Sequence, residues 1–138
     1  MHDILSVLEK AEASAKVIRE SKPKPVSYAT MAPGDFHRQG DVYFVALAGV
    51  PADCVPTEAR AQLVQGATQG ARHCLRTTRG VEFFERKNAT ALDGPVLRSA
   101  LPMTVDHPEH GTATFPPGAT IGVHYQRQYA EEMRRVAD

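Results

Sequence analysis

The chain has 138 residues, room for one domain that buries roughly two-thirds of its unfolded surface, so folding requires neither a disulfide nor a metal. Sixteen Lys plus Arg balance sixteen Asp plus Glu, which leaves no single-sign field to draw the chain to nucleic acid or to an anionic membrane. The uncharged stretch 42–52 is interrupted by Gly49 and Pro51 and is far shorter than the roughly 20 apolar residues of a membrane span; no nucleic-acid or membrane partner is expected.

At the N-terminus Glu9, Lys10 and Glu12 interrupt any run that could serve as a secretion signal, so the expected location is the cytoplasm. Residues 1–21 read instead as an amphipathic helix. Asp3 suits its N-cap, and Ile4, Leu8, Ala11, Ala15 and Ile18 follow at spacings of four, three, four and three, with Leu5 widening the same face. The opposite side carries Glu9, Lys10, Glu12, Lys16, Arg19 and Glu20, so only one face seeks cover. That cover is either the chain's own domain or a partner. A Pro-rich spacer over 22–37, opening on Lys22-Pro23-Lys24-Pro25, cannot continue the helix and holds it away from the β-rich region beyond residue 37.

From 38 to 129 the helical spacing gives way to short strand-like runs separated by Gly, Pro and Asp. Expected strands fall at 41–47, 62–64, 71–76, 81–85, 96–101, 103–106, 112–115 and 119–129. The first is apolar on both alternating faces, as for a strand covered on both sides. The last alternates Ile121, Val123 and Tyr125 with Thr120, Gly122 and His124 in a period of two. Phe83 and Phe84 are both expected to pack. Runs this short with regular turns imply a mainly β fold, a small β-sandwich or barrel of jelly-roll or cupin-like type. Residues 130–138 read as a short C-terminal helix. Cys54 and Cys74 form no Cys-x-x-Cys pair and are expected to be free thiols, with a mutual disulfide as the alternative.

One segment gathers chemistry: Asp106-His107-Pro108-Glu109-His110-Gly111. Imidazole and carboxylate are both ligands for zinc or iron, and His73 and His124, on other expected strands, could complete a set with His107 and His110. Glu109 would then be the acid or base. Against this stands the bland reading of hydrogen-bonding loop and surface histidines. No nucleophile elbow, phosphate-binding loop, His-Glu-x-x-His or dinucleotide fingerprint is present.

Three segments together resemble a group of small uncharacterised proteins of bacterial and phage genomes: Arg38-Gln39-Gly40-Asp41-Val42, His107-Pro108-Glu109-His110, and Pro116-Pro117-Gly118 followed by Gln126-Arg127-Gln128-Tyr129. The resemblance spans about 38–129. It implies a Gly-His-x-His segment where Gly70-Ala71-Arg72-His73 stands, with Ala71 replacing one histidine of a cupin-like metal centre; the loss weakens the metal reading and leaves a scaffold. The expectation is therefore a non-enzymatic structural or assembly protein without a cofactor, such as a capsid-decorating or minor capsid subunit of a phage virion. It would dock on a protein partner or a second copy through the helix face of Ile4, Leu5, Leu8, Ala11, Ala15 and Ile18. The competing expectation is a small cupin-like enzyme using zinc or iron, and a third is a cytoplasmic module gripping a partner through an exposed strand edge.

Overall fold

The computed structural model describes residues 24–64 and 73–126. The helices expected over 1–21 and 130–138 lie outside these residues, as does the docking face of Ile4, Leu5, Leu8, Ala11, Ala15 and Ile18. Among the described residues every regular element is a strand: β1 (Val26–Ser27), β2 (Phe36–Gln39), β3 (Val42–Leu47), β4 (Cys54–Thr57), β5 (Cys74–Leu75), β6 (Val81–Arg86), β7 (Asp93–Ser99), β8 (Met103–Asp106), β9 (Ala113–Phe115) and β10 (Thr120–Tyr125). The fold is mainly β. A four-stranded sheet runs β1-β9-β8-β5 and a six-stranded sheet runs β2-β3-β10-β7-β6-β4.

The segment expected to be a spacer, 22–37, contains β1 and the first two residues of β2. β1 pairs in parallel with β9, Val26 opposite Ala113, and β2 pairs antiparallel with β3 from Phe36↔Val45 to Gln39↔Val42. The β2–β3 turn has two residues, Gly40 and Asp41, and Gly40 takes φ of 58°. A glycine at the first position of a two-residue hairpin lets the turn follow the twist of its strands. The run expected at 62–64 is reduced to one bridge, Gln62↔Cys74.

The sheets face one another across a shared core. Val42, Phe44 and Ala46 of β3, Phe83 of β6, Leu97 of β7, and Ile121 and Val123 of β10 meet Leu75, Met103, Val105, Ala113 and Phe115 from the other sheet, and Leu63 and Val64 fill in between. Phe44 and Phe115 are fully buried, their ring centroids 5.2 Å apart at 40°. Each such ring contributes about 2–3 kcal/mol by leaving water. Tyr28 closes one side, stacked on Phe115 at 6.2 Å and meeting His37 Nδ1 with its hydroxyl at 2.5 Å.

The outward faces differ in character. On the four-stranded sheet the hydroxyls of Thr104 and Thr114 lie 2.9 Å apart. On the six-stranded sheet, strand register sets an apolar row side by side: Phe36, Val45, Gly122, Val96, Phe84 and Pro56. Val96 and Phe84 are buried without belonging to the central core, and the Arg98 guanidinium lies 5.1 Å over the Phe84 ring. β3 therefore buries Val42, Phe44 and Ala46, whereas Tyr43, Val45 and Leu47 are half-buried on this outward side; the full cover expected for both its faces holds for one. Both Phe83 and Phe84 pack, on opposite faces. Cys54 and Cys74 are thiols in different sheets, with no disulfide between them. Burial first, and then Asp53 beside Cys54 and Asp106 beside Cys74, raise both above the ordinary thiol pKa.

Candidate functional site

Where β2 of one sheet approaches β8 and β9 of the other, three imidazoles come together. His73 precedes β5, and His107 and His110 belong to the loop between β8 and β9. The ring centroids of His73 and His107 are 4.5 Å apart, and those of His107 and His110 are 4.4 Å apart. The loop is closed by paired backbone bonds, His107 N–H to Gly111 C=O at 3.1 Å and Gly111 N–H to His107 C=O at 3.2 Å. Pro108 fixes the first position inside it, and Gly111 takes φ of 84°.

The hydrogen bonds determine which nitrogen carries the proton in two of these rings. The buried Gln39 amide donates from Nε2 to the carbonyls of Val105 at 3.2 Å and Gly111 at 2.9 Å, so its Oε1 is an acceptor. His73 Nδ1, 2.9 Å away, must therefore be the donor, which leaves the lone pair on Nε2. In His107 the pattern is reversed: Nδ1 accepts the backbone N–H groups of Glu109 and His110, each at 3.0 Å, so the proton of the neutral ring is on Nε2. His110 is exposed, its ring lying over Gly40 so closely that a Cβ there would fall 2.6 Å from His110 Cδ2.

Burial, and then the charges of His107 and His110, lower the pKa of His73 to about 3. His37 is also lowered by burial. The loop borders a half-open cavity of about 540 Å³ lined by Lys24, Pro25, Asp106, His107, Pro108, Gly111 and Thr112. Asp106 accepts the Arg76 guanidinium at 3.1 and 2.8 Å and the Thr112 hydroxyl at 2.7 Å, so its carboxylate is engaged by its neighbours.

The four histidines expected as a set thus divide. His73, His107 and His110 are adjacent. His124 stands on the outward face of β10, opposite in parity to the core residues Ile121 and Val123, with Nδ1 3.5 Å from Asp93; burial lowers its pKa, against the pull of that carboxylate. No ring contact joins it to the other three. Glu109 contributes its backbone N–H to the turn. Among the described residues no group of three or more His, Cys, Asp or Glu side chains is arranged to hold a metal ion. Gln39, Gly40 and Tyr28 build this region although no chemical motif marks them as site residues; the first two sit within the Arg38-Gln39-Gly40-Asp41-Val42 segment, and that segment is the signal the sequence offers for them.

The family model described as a domain of unknown function, DUF8820, matches residues 38–126. The chain belongs to this family. The DUF8820 match takes in Gln39, Gly40 and all four candidate histidines, and begins after β1 and within β2. No curated protein and no solved structure matches the chain.

Proposed function

We propose that the chain is a non-enzymatic assembly protein, with a capsid-decorating or minor capsid subunit as the form its resemblance suggests. The observation that carries the proposal is the use made of the histidine cluster. Gln39 ties β2 to β8 and to the following loop while fixing the His73 tautomer, and His107 Nδ1 caps its own turn. These contacts hold the two sheets together. The recognition features lie elsewhere, on the apolar row of the six-stranded sheet that ends at Phe36, 59% exposed, and on the helix face expected over residues 1–21. The matching fold reading is a small β-sandwich, jelly-roll or cupin-like in outline, because two sheets enclose one core. Removing residues 1–22 leaves β1 intact. That variant is expected to keep its fold by circular dichroism and to lose the assembled mass expected for the full chain in light scattering; unchanged mass would overturn the role of the arm.

One observation favours a second reading, a small cupin-like enzyme with zinc or iron held by the adjacent histidines His73, His107 and His110, without His124 of the outward face. His73 donates Nδ1–H to an amide oxygen and keeps the Nε2 lone pair, as metal-bound imidazoles do. His107 opposes it, since its ligating nitrogen would first have to give up the Nε2 proton. Elemental analysis after incubation with each metal separates the readings: stoichiometric metal, lost in His73→Ala, supports the enzyme, and its absence from wild-type protein ends it.

A further inference from the structure

We infer that β2 is a docking edge for a second copy of this chain, pairing antiparallel with its counterpart about a two-fold axis at His37. The inference rests on the assembly reading above and specifies one of its interfaces. Unpaired strand edges invite association, and proteins blunt those they do not use. Of the four edge strands in the two sheets, β1 and β5 have two residues each and β4 carries Pro56. β2 is four residues long and has no proline, and its one charged side chain is Arg38.

Its register shows which groups point outward. Gln39↔Val42 closes the hairpin and His37↔Phe44 lies two residues along, so both are bonded inward to β3, and Asp35 C=O continues this ladder by accepting Ala46 N–H at 2.8 Å. The N–H and C=O of Phe36 and Arg38 alternate with these and face away from β3. Among the described residues no backbone bond to them appears outside the strand ladder. The side chains of the same two residues are exposed on the outward face of the sheet.

The edge is complementary to itself. With the axis at His37, Phe36 of each copy stands directly opposite Arg38 of the other, giving four backbone hydrogen bonds and two contacts between a guanidinium and an aromatic ring. The chain already uses this chemistry within one copy: Arg38 lies 5.7 Å over the Tyr43 ring, and Phe36 meets Tyr43 at 6.0 Å. Pairing joins the apolar rows of the two six-stranded sheets end to end and covers Phe36, the most exposed large apolar residue among the described residues.

Sedimentation velocity of the full chain from about 1 to about 200 µM, a range that brackets a micromolar Kd, tests the pairing with two variants. Phe36→Lys places charge on the edge, and Arg38→Pro removes an outward N–H together with the guanidinium, at a position where an edge strand tolerates proline because no bond to β3 is lost. The expected result is a concentration-dependent dimer for wild type, with at least tenfold weaker association in both variants and unchanged circular dichroism and melting temperature. Slower amide exchange at Phe36 and Arg38 in concentrated protein is expected alongside. Wild-type assembly that ignores both substitutions but is lost on removing 1–22 overturns the edge pairing and leaves the assembly reading standing; a wild-type monomer throughout overturns both. A monomer that shows β2 protection only on binding an added peptide assigns the edge to a different occupant and also overturns the self-pairing.

Discussion

Acid should destabilise this protein through His73 in particular, by an amount that follows from its surroundings. The ring is 4% exposed and protonates only near pH 3 when folded, against an ordinary 6.5. In the unfolded chain it takes up a proton as pH falls through about 6.5, so between these values unfolding binds one extra proton. The contribution is full above pH 6.5 and declines on acidification by about 1.4 kcal/mol per pH unit. Integrated from pH 7 to pH 5, the loss is about 2 kcal/mol. His73→Asn removes the titration while keeping an amide donor for Gln39 Oε1. Urea midpoints for wild type and variant at the two pH values give the difference directly, and His37 and His124, present in both proteins, cancel. The wild type is expected to lose about 2 kcal/mol more than the variant. Equal losses would show that His73 is not held neutral by this environment, and the lone pair assigned to its Nε2 would fall with it.

Gln39→Leu strands two carbonyl acceptors and the His73 donor in the interior; a loss of about 2–4 kcal/mol is expected in chemical denaturation. Nitrogen chemical shifts of the His73 ring should show a changed tautomer balance at the same time. Gly40→Ala places a Cβ on a residue with φ of 58° and against the His110 ring. Because that ring is exposed and can turn aside, the backbone sets the cost at about 1–2 kcal/mol, and Gly40→Ala combined with His110→Ala should melt close to the single variant.

β8 and β10 were legible because their apolar residues alternate cleanly: Met103 and Val105, Ile121 and Val123, are all buried in the core. β1 and β4 gave little pattern to read, one because it has two residues beside Pro25, the other because Pro56 interrupts it. β2 was hidden for a different reason. Its inward residues are His37 and Gln39 while Phe36 points out, so the polarity rule read in the usual direction gives no strand at all. At the site, closeness in sequence exposed His107 and His110, and His73 joined them by residue type. Gln39 could not be found this way, since the carbonyls it bonds lie 66 and 72 residues along the chain and an amide carries no chemical signature in a sequence. His124 shows the converse limit: a ligand-competent side chain on the right strand, but on the wrong face of it.

The inversion of β2 connects the two halves of the functional reading. A strand selected only for the stability of one copy would turn apolar side chains inward. Here the inward positions carry the amide and imidazole that join the sheets, and each depends on partners supplied by β8, by β9's preceding loop and by Tyr28. The outward positions carry an aromatic ring and a guanidinium of a kind that attract one another. The polar interior fixes the register of β2 to within one residue, because a slip would carry Gln39 away from both carbonyls and turn it to the outward face. That same register determines which backbone groups face out and which side chains flank them. In the proposed pairing the histidine cluster serves recognition without touching a ligand, by holding the edge strand in the one position where Phe36 and Arg38 are presented together.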